Sequence, residues 1–378
     1  IKLTNEIPEI LPFKEQSVKK IICVSGAPSK EGGLVIQNNF YHAEMDCFGR
    51  IIHLTDQNSG YEYAKGALND WKLYRDVNVD YDAWELGRMY ERTEAGFTGT
   101  TEICVKQSEE EVQIKVFRTE ANFTSQQVIH FFADTPRIDF ETTMDWRERH
   151  KMLKVDFPTT VYTKEVLEEI QFGYLKRPTH RSRQYEKDLY ETCHHKYAVL
   201  TDGENGFAVL NNCKYGISAQ DSKLSLTLLR SPVLPDMNAD QGEHKFEYSI
   251  LLFHGSFTES RVLEEAYERN IEVTDISSGN KAVQTVSFFR LEGGHAVIET
   301  LKPAYDQNNC IVLRLYESKG CAGYTKLFLP PQVKNAYTCN MLEEKESRKK
   351  MEIVDNAVKL YFGAFEIKTV LLEIYTEE

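Results

Sequence analysis

Asp82 and Glu85 lie on either side of Trp84 in the run Tyr81-Asp82-Ala83-Trp84-Glu85. Acids next to an indole ring suit a ligand with hydroxyls on its edge and an apolar face for stacking, so Tyr81, Asp82 and Trp84 are candidate binding residues. A core-anchoring Trp84 with the acids in a turn has the same sequence. A second group starts at Arg230, where an alternating strand gives way to Ser231-Pro232-Val233-Leu234-Pro235-Asp236, followed by Asp240, Glu243 and His244. A guanidinium fork at a strand end, then stiff backbone and acids, is how a rim that grips hydroxyls is built, which adds Arg230, Asp236 and Asp240 to the candidates. A salt-bridged surface loop looks the same in sequence. Arg177-Pro178-Thr179-His180 reads as a rim loop or a turn, with His180 the residue of interest, and the charges of Arg181 to Lys187 read as solvated surface.

Metal chemistry is not expected on this chain. His194 and His195 follow Cys193, but neighbours on a strand point to opposite faces and cannot share an ion. Neither an H-x-E-x-x-H motif nor a Cys/His ligand spacing occurs. Pattern alone identifies no pair of catalytic carboxylates.

These groups must be carried by strands. Val112, Ile114 and Val116; Ile138, Phe140 and Thr142; Leu153, Val155 and Phe157; Leu224, Leu226 and Leu228; and Phe246, Tyr248, Ile250 and Leu252 all alternate with period two, which predicts strands with one wet face. Turn clusters such as Asp202-Gly203-Glu204-Asn205-Gly206 separate them. One helix is predicted over 259–270, with Val262, Leu263, Ala266 and Tyr267 inward and Glu264, Glu265 and Glu268 outward. The polar stretch Thr274 to Asn280 reads as a linker, with a boundary near residue 275. Strand patterning then resumes through Val283, Val286 and Phe288, Val297-Ile298, Ile311, Leu313 and Leu315, and Phe365, Ile367 and Val370. The predicted organisation is all-β: residues 1–30 as the end of a preceding segment, a large sandwich over 31–275 and a small one over 281–378. The charges from Glu343 to Lys350 predict an exposed loop or edge.

A chain of 378 residues can bury two cores, and a net charge of −13 opposes binding to nucleic acid or an anionic membrane. Eight cysteines without a C-x-x-C pair read as free thiols, and no long apolar run or leader is present, so a cytoplasmic protein is expected. The start at Ile1, followed by Ile7-Pro8-Glu9-Ile10-Leu11-Pro12, looks like a cut from something longer.

Several segments together resemble, in order and spacing, the C-terminal part of glycoside hydrolase family 38 α-mannosidases. Asn38-Asn39-Phe40-Tyr41-His42-Ala43-Glu44-Met45-Asp46 with Gly49-Arg50-Ile51 resembles the family opening N-x-F-Y-x-V-x-x-D-x-x-G-R-I. Tyr81 to Glu85, Asp145 to Lys154, Gln171 to His180, Gly206 to Gly216, Leu228 to Asp236 and Asp240 to His244 follow, and Phe365 to Thr369 is similar to the closing strand. Ser182-Arg183-Gln184-Tyr185-Glu186 replaces the family's N-T-S-W-D. The resemblance implies a galactose-mutarotase-like β-supersandwich followed by a small β-sandwich. It also implies a retaining hydrolase of terminal α-linked mannose whose zinc ligands and Asp nucleophile lie in N-terminal domains, so that this chain is inert by itself. Arg230 approximately matches an arginine that completes the family's sugar pocket. The implied partners are a mannosyl oligosaccharide and the chain's own N-terminal catalytic domain, with a homo-oligomer left open. Two other readings stand beside this one: a free-standing carbohydrate-binding or scaffold module, and a mutarotase- or lyase-like enzyme. The latter needs His180, His244 or His254 to converge with Glu or Tyr in a cleft.

Overall fold

Apolar residues at every second position drive the strands of this chain to pair and bury one face. In a computed structural model, which describes residues 22–29, 32–78, 81–271, 287–305 and 307–375, the expected all-β architecture is present as two units. The described strands of the larger unit form sheets of four, nine and six antiparallel strands. The nine-stranded sheet has Gly242–His254 and Arg137–Trp146 at its centre, in a ten-residue register from Arg137↔Leu251 to Trp146↔Gly242. The six-stranded sheet has Lys223–Arg230 and Lys151–Pro158 at its centre, with Asp70–Arg75 next to the latter. All three sheets share one core, to which Tyr41 and Leu54, Phe140, Phe207 and Tyr248, and Val155 and Leu226 contribute. Each such side chain stabilises the fold by roughly 1.5–3 kcal/mol.

The four-stranded sheet includes the hairpin in which Ile22–Ser29 pairs with Gly32–Gln37. The boundary near residue 275, the linker after it, Val283 and Val286 lie outside the described residues.

The single wet face is not what the central strands show. Lys151–Pro158 is buried on both faces, Lys154 and Asp156 included. Its polar side lies under the segments around Tyr90 and Glu191: Lys154 Nζ meets Glu191 Oε2 at 2.6 Å and Thr227 Oγ1 at 3.0 Å, and Tyr90 donates to Glu191 at 3.1 Å. On the nine-stranded sheet, Ala208, Leu210 and Leu251 of the outer face pack under helix Val262–Asn270, where Val262, Leu263 and Ala266 are buried. Glu265, expected outward, is buried there because Arg137 reaches it at 2.6 Å. A second short helix, Gln184–Asp188, stands where solvated charges were expected. Glu186 caps it by accepting the N–H groups of Ser182 (2.8 Å) and Arg183 (2.7 Å).

The smaller unit packs a three-stranded sheet on a five-stranded one around Leu313, Leu315, Leu327, Leu360, Phe362 and Val370. Phe288 is an exposed residue outside the strands, and Phe365 stands in the turn before Ile367–Ile374. Glu343 is buried rather than exposed, held by Lys302 and Arg314. Phe365 packs edge-on against Tyr174 of the larger unit, with ring centroids 5.2 Å apart. The Tyr174 hydroxyl donates to the Lys319 carbonyl at 3.0 Å. The Lys319 ammonium in turn donates to the carbonyls of Phe257 (3.0 Å) and Ser260 (3.4 Å).

Candidate functional site

Three loops meet at one end of the six-stranded sheet: the stretch after Asp70–Arg75, the turn before Lys151–Pro158 and the loop after Lys223–Arg230. Arg230 binds them together. Its guanidinium takes buried Asp76 as counter-ion, through Nε and through Nη2 at 3.3 Å. Nη2 also donates to the carbonyls of Asp82 (2.9 Å) and Glu85, and Nη1 to that of Ala83 at 3.4 Å. Each guanidinium nitrogen therefore donates to a protein oxygen, so the fork holds the loop at 82–85. From the other side, Asp82 accepts the N–H groups of Val233 (2.6 Å) and Leu234 (3.3 Å), and Ala83 N donates to Leu234 O at 3.1 Å. Asp76 N donates to His150 O, and His150 N to Ser231 O. Arg149 reaches Met237 O and, at 2.9 Å, Asn238 Oδ1.

The structure thus brings Arg230, Asp82, Tyr81, Trp84 and Asp236 to one rim. Asp82 is buried, with its second oxygen, Oδ1, lacking any donor among the described residues. Trp84 is 71% exposed and is no core anchor. Tyr81 is exposed, with φ +54°. Asp236 accepts Asn238 N at 2.8 Å, and the Asp240 carbonyl faces His244 Nε2 at 2.9 Å. Such a rim offers carboxylates and a phenol to hydroxyl groups, and an aromatic face to an apolar surface.

His180 is not at this rim. It lines an open groove of about 880 Å³ with Tyr162, Lys176 and Tyr185, 3.4 Å from Glu186. His194 is fully buried: Nδ1 lies 3.0 Å from Tyr215 O and Nε2 2.8 Å from Asn211 Nδ2, which makes Nδ1 the protonated nitrogen. Burial pushes its pKa down to about 4. His195, half-exposed, packs on Tyr215 from the other face. Burial pushes the Glu168 carboxyl up to about 6, against Thr192 and Arg177. Sequence reasoning missed Asp76, His150 and Arg149. The last two fall in the Asp145–Lys154 run singled out for its resemblance, whereas nothing local marks Asp76 as a partner of a residue 154 positions away.

Among the described residues, no group of three or more His, Cys, Asp or Glu side chains converges to hold a metal ion. These residues therefore do not fit the zinc that the resemblance implies for the larger protein. Nor is any helix among them long and apolar enough to cross a membrane. The described cysteines outside the first strand, such as Cys47, Cys104 and Cys213, are free thiols.

Both units match known domains. Residues 36–238 match the glycosyl hydrolases family 38 C-terminal domain, and residues 295–370 the family 38 C-terminal beta sandwich domain. The chain belongs to glycosyl hydrolase family 38, in its C-terminal region. It is similar to alpha-mannosidase 2C1 of Mus musculus, 33% identical over 350 residues, covering 90% of this chain and 34% of that protein. Similarity to alpha-mannosidase G of Dictyostelium discoideum is of the same order: 33% over 356 residues, covering 89% of this chain and 32% of the relative. The chain thus spans about a third of the length of these relatives. An alpha-mannosidase structure from Enterococcus faecalis V583 shares the fold, with a TM-score of 0.70 at 17% identity over 92% of this chain and 42% of that one.

Proposed function

We propose that this chain is the C-terminal portion of a cytoplasmic, zinc-dependent, retaining α-mannosidase that removes terminal α-linked mannose from oligosaccharides. The observation that carries this reading is the ordered match of both units to family 38 C-terminal domains, in a chain a third as long as its α-mannosidase relatives. Zinc and the nucleophile are assigned to residues outside this chain, which leaves it inert alone. Its own contribution is the rim: Tyr81 and Asp236 reach sugar hydroxyls, and Arg230 acts as a positioning residue by fixing the loop at 82–85. The free thiols support the reducing compartment.

A self-sufficient lyase- or mutarotase-like enzyme is less well supported. His180 and His254 do sit in clefts beside carboxylates. Each acid, however, holds its own turn: Glu186 accepts Ser182 and Arg183 amides, and Asp56 those of Asn58 (2.9 Å) and Ser59 (2.6 Å). The test is hydrolysis of an aryl α-mannoside by the polypeptide extended upstream through its gene. Turnover that a chelator abolishes and zinc restores, with the released sugar first appearing as the α-anomer, is expected. An extended polypeptide that cleaves no α-mannoside sinks the reading.

A further inference from the structure

The groove that holds His180 contains hydrogen-bonding groups with no task in the fold. Tyr162, Lys164 and Ser182 line it, and among the described residues none of their side chains has a hydrogen-bond or ion-pair partner. Tyr162 and Tyr185 stand on its walls, 70% and 57% exposed.

The backbone under these side chains is fixed. Tyr185 lies in Gln184–Asp188, the short helix that Glu186 caps. The loop with Tyr162 and Lys164 is tied at both ends: Thr160 N donates to Tyr63 O at 3.0 Å, Thr179 N to Lys164 O at 3.0 Å, and Thr179 Oγ1 to Thr163 O at 2.8 Å. Asp202 closes its own turn by accepting Glu204 N (2.9 Å) and Asn205 N (2.7 Å) through Oδ1, with no donor on Oδ2 among the described residues. A ligand entering here meets a site that needs little reordering.

The lining says what that ligand is. At about 880 Å³ the groove has the size of a ligand cleft, about 300–1,000 Å³. Three cations, Lys164, Lys176 and Arg183, are balanced by three carboxylates, Glu165, Glu186 and Asp202, so no net field favours a phosphate or an acidic peptide. Its apolar lining is limited to Pro178 and the two tyrosines, which leaves no pocket for the apolar anchors of a peptide. Donors and acceptors in equal supply suit a neutral molecule with many hydroxyls. Exposed phenol rings add an apolar face for the C–H side of a pyranose.

We propose that this groove binds a mannosyl unit of an oligosaccharide, with Tyr162 and Tyr185 as stacking faces and Lys164, Ser182 and Asp202 bonding its hydroxyls. The choice of mannose rests on the reading above, whereas the preference for a neutral sugar rests on the groove alone.

Electrophoresis of this chain through native gels containing soluble α-mannan tests it. Mannan is expected to retard the chain, while anionic heparin and a soluble β-glucan are not. Replacing both tyrosines, Tyr162→Ala with Tyr185→Ala, should weaken binding at least about ten-fold, read from the mannan concentration that halves mobility. Both side chains are exposed, so their truncation leaves the fold in place. Tyr185→Trp keeps a stacking face and should retain binding, and Tyr305→Ala, at a 78% exposed position on the smaller unit, should change nothing. Free passage of the folded chain through mannan overturns the proposal, as does retardation that the double alanine variant keeps. Stronger retardation by heparin or by the glucan also overturns it, the first indicating an anion site and the second a different sugar. Should this chain not fold alone, wild type and double variant are compared in the upstream-extended polypeptide with a chelator present, where equal retardation is the overturning result. An extended polypeptide that cleaves α-mannosides but is retarded equally with and without the two tyrosines refutes the groove and leaves the enzymatic reading standing. Tyrosine-dependent retardation of an extended polypeptide that cleaves no α-mannoside does the reverse.

Discussion

Asp76 is buried and takes its counter-charge from Arg230. Truncating Arg230→Ala leaves that carboxylate uncompensated, and a loss of about 3 kcal/mol in urea unfolding is expected. Arg230→Lys should recover little of it, because a point charge cannot hold Asp76 and three carbonyls at once. Unchanged stability in the alanine variant would contradict the clamp. At this scale the sequence was half legible. It marked Arg230 at its strand end and Tyr81 to Glu85 as site-like, yet the pairing with Asp76 is a long-range contact without local signature. It also left open whether Trp84 or Asp82 points inward, since a turn residue's direction follows from which amides it caps. His194 carries a second residue-scale consequence. Its pKa falls from 6.5 to about 4 on burial, so the folded protein binds fewer protons here than the unfolded chain between those values. Its stabilising contribution is complete above pH 6.5 and is lost as pH drops toward 4, by roughly 3 kcal/mol at 1.36 kcal/mol per pH unit. Glu168, raised from 4.5 to about 6, works in the opposite sense between those values, so total stability conceals the effect. The difference between wild type and His194→Gln, measured by urea unfolding at pH 7 and pH 4, isolates it and should shrink by about that amount.

At the scale of elements, period-two patterning located the central strands and helical spacing located the helix Val262–Asn270, because the spacing of apolar residues reports directly which face packs. It could not report that the second face is covered too. Lys154 is a polar residue on an outward-facing position by pattern, and it is buried because the segments around Tyr90 and Glu191 fold over it. That covering makes a checkable difference. Lys154→Met alone should cost about 3 kcal/mol, since it strands the Glu191 carboxylate against Thr227 and Tyr90. The double variant Lys154→Met with Glu191→Leu should recover most of the loss, because it removes both charges and keeps the volume. A double variant no better than the single one would show that Glu191 is not the partner that matters.

For the whole molecule, two β units in this order were legible, because the motif series and the strand patterning run through both. Their docking was not, since Lys319 bonds to the carbonyls of Phe257 and Ser260, groups every residue carries. The most direct measurement is a side-by-side assay of this chain and the upstream-extended polypeptide on an aryl α-mannoside with zinc present. Turnover by the extended polypeptide alone is the predicted result. Hydrolysis by this chain on its own would mean that a nucleophile and its metal site lie within these 378 residues, contradicting the assignment of the chemistry to residues outside them.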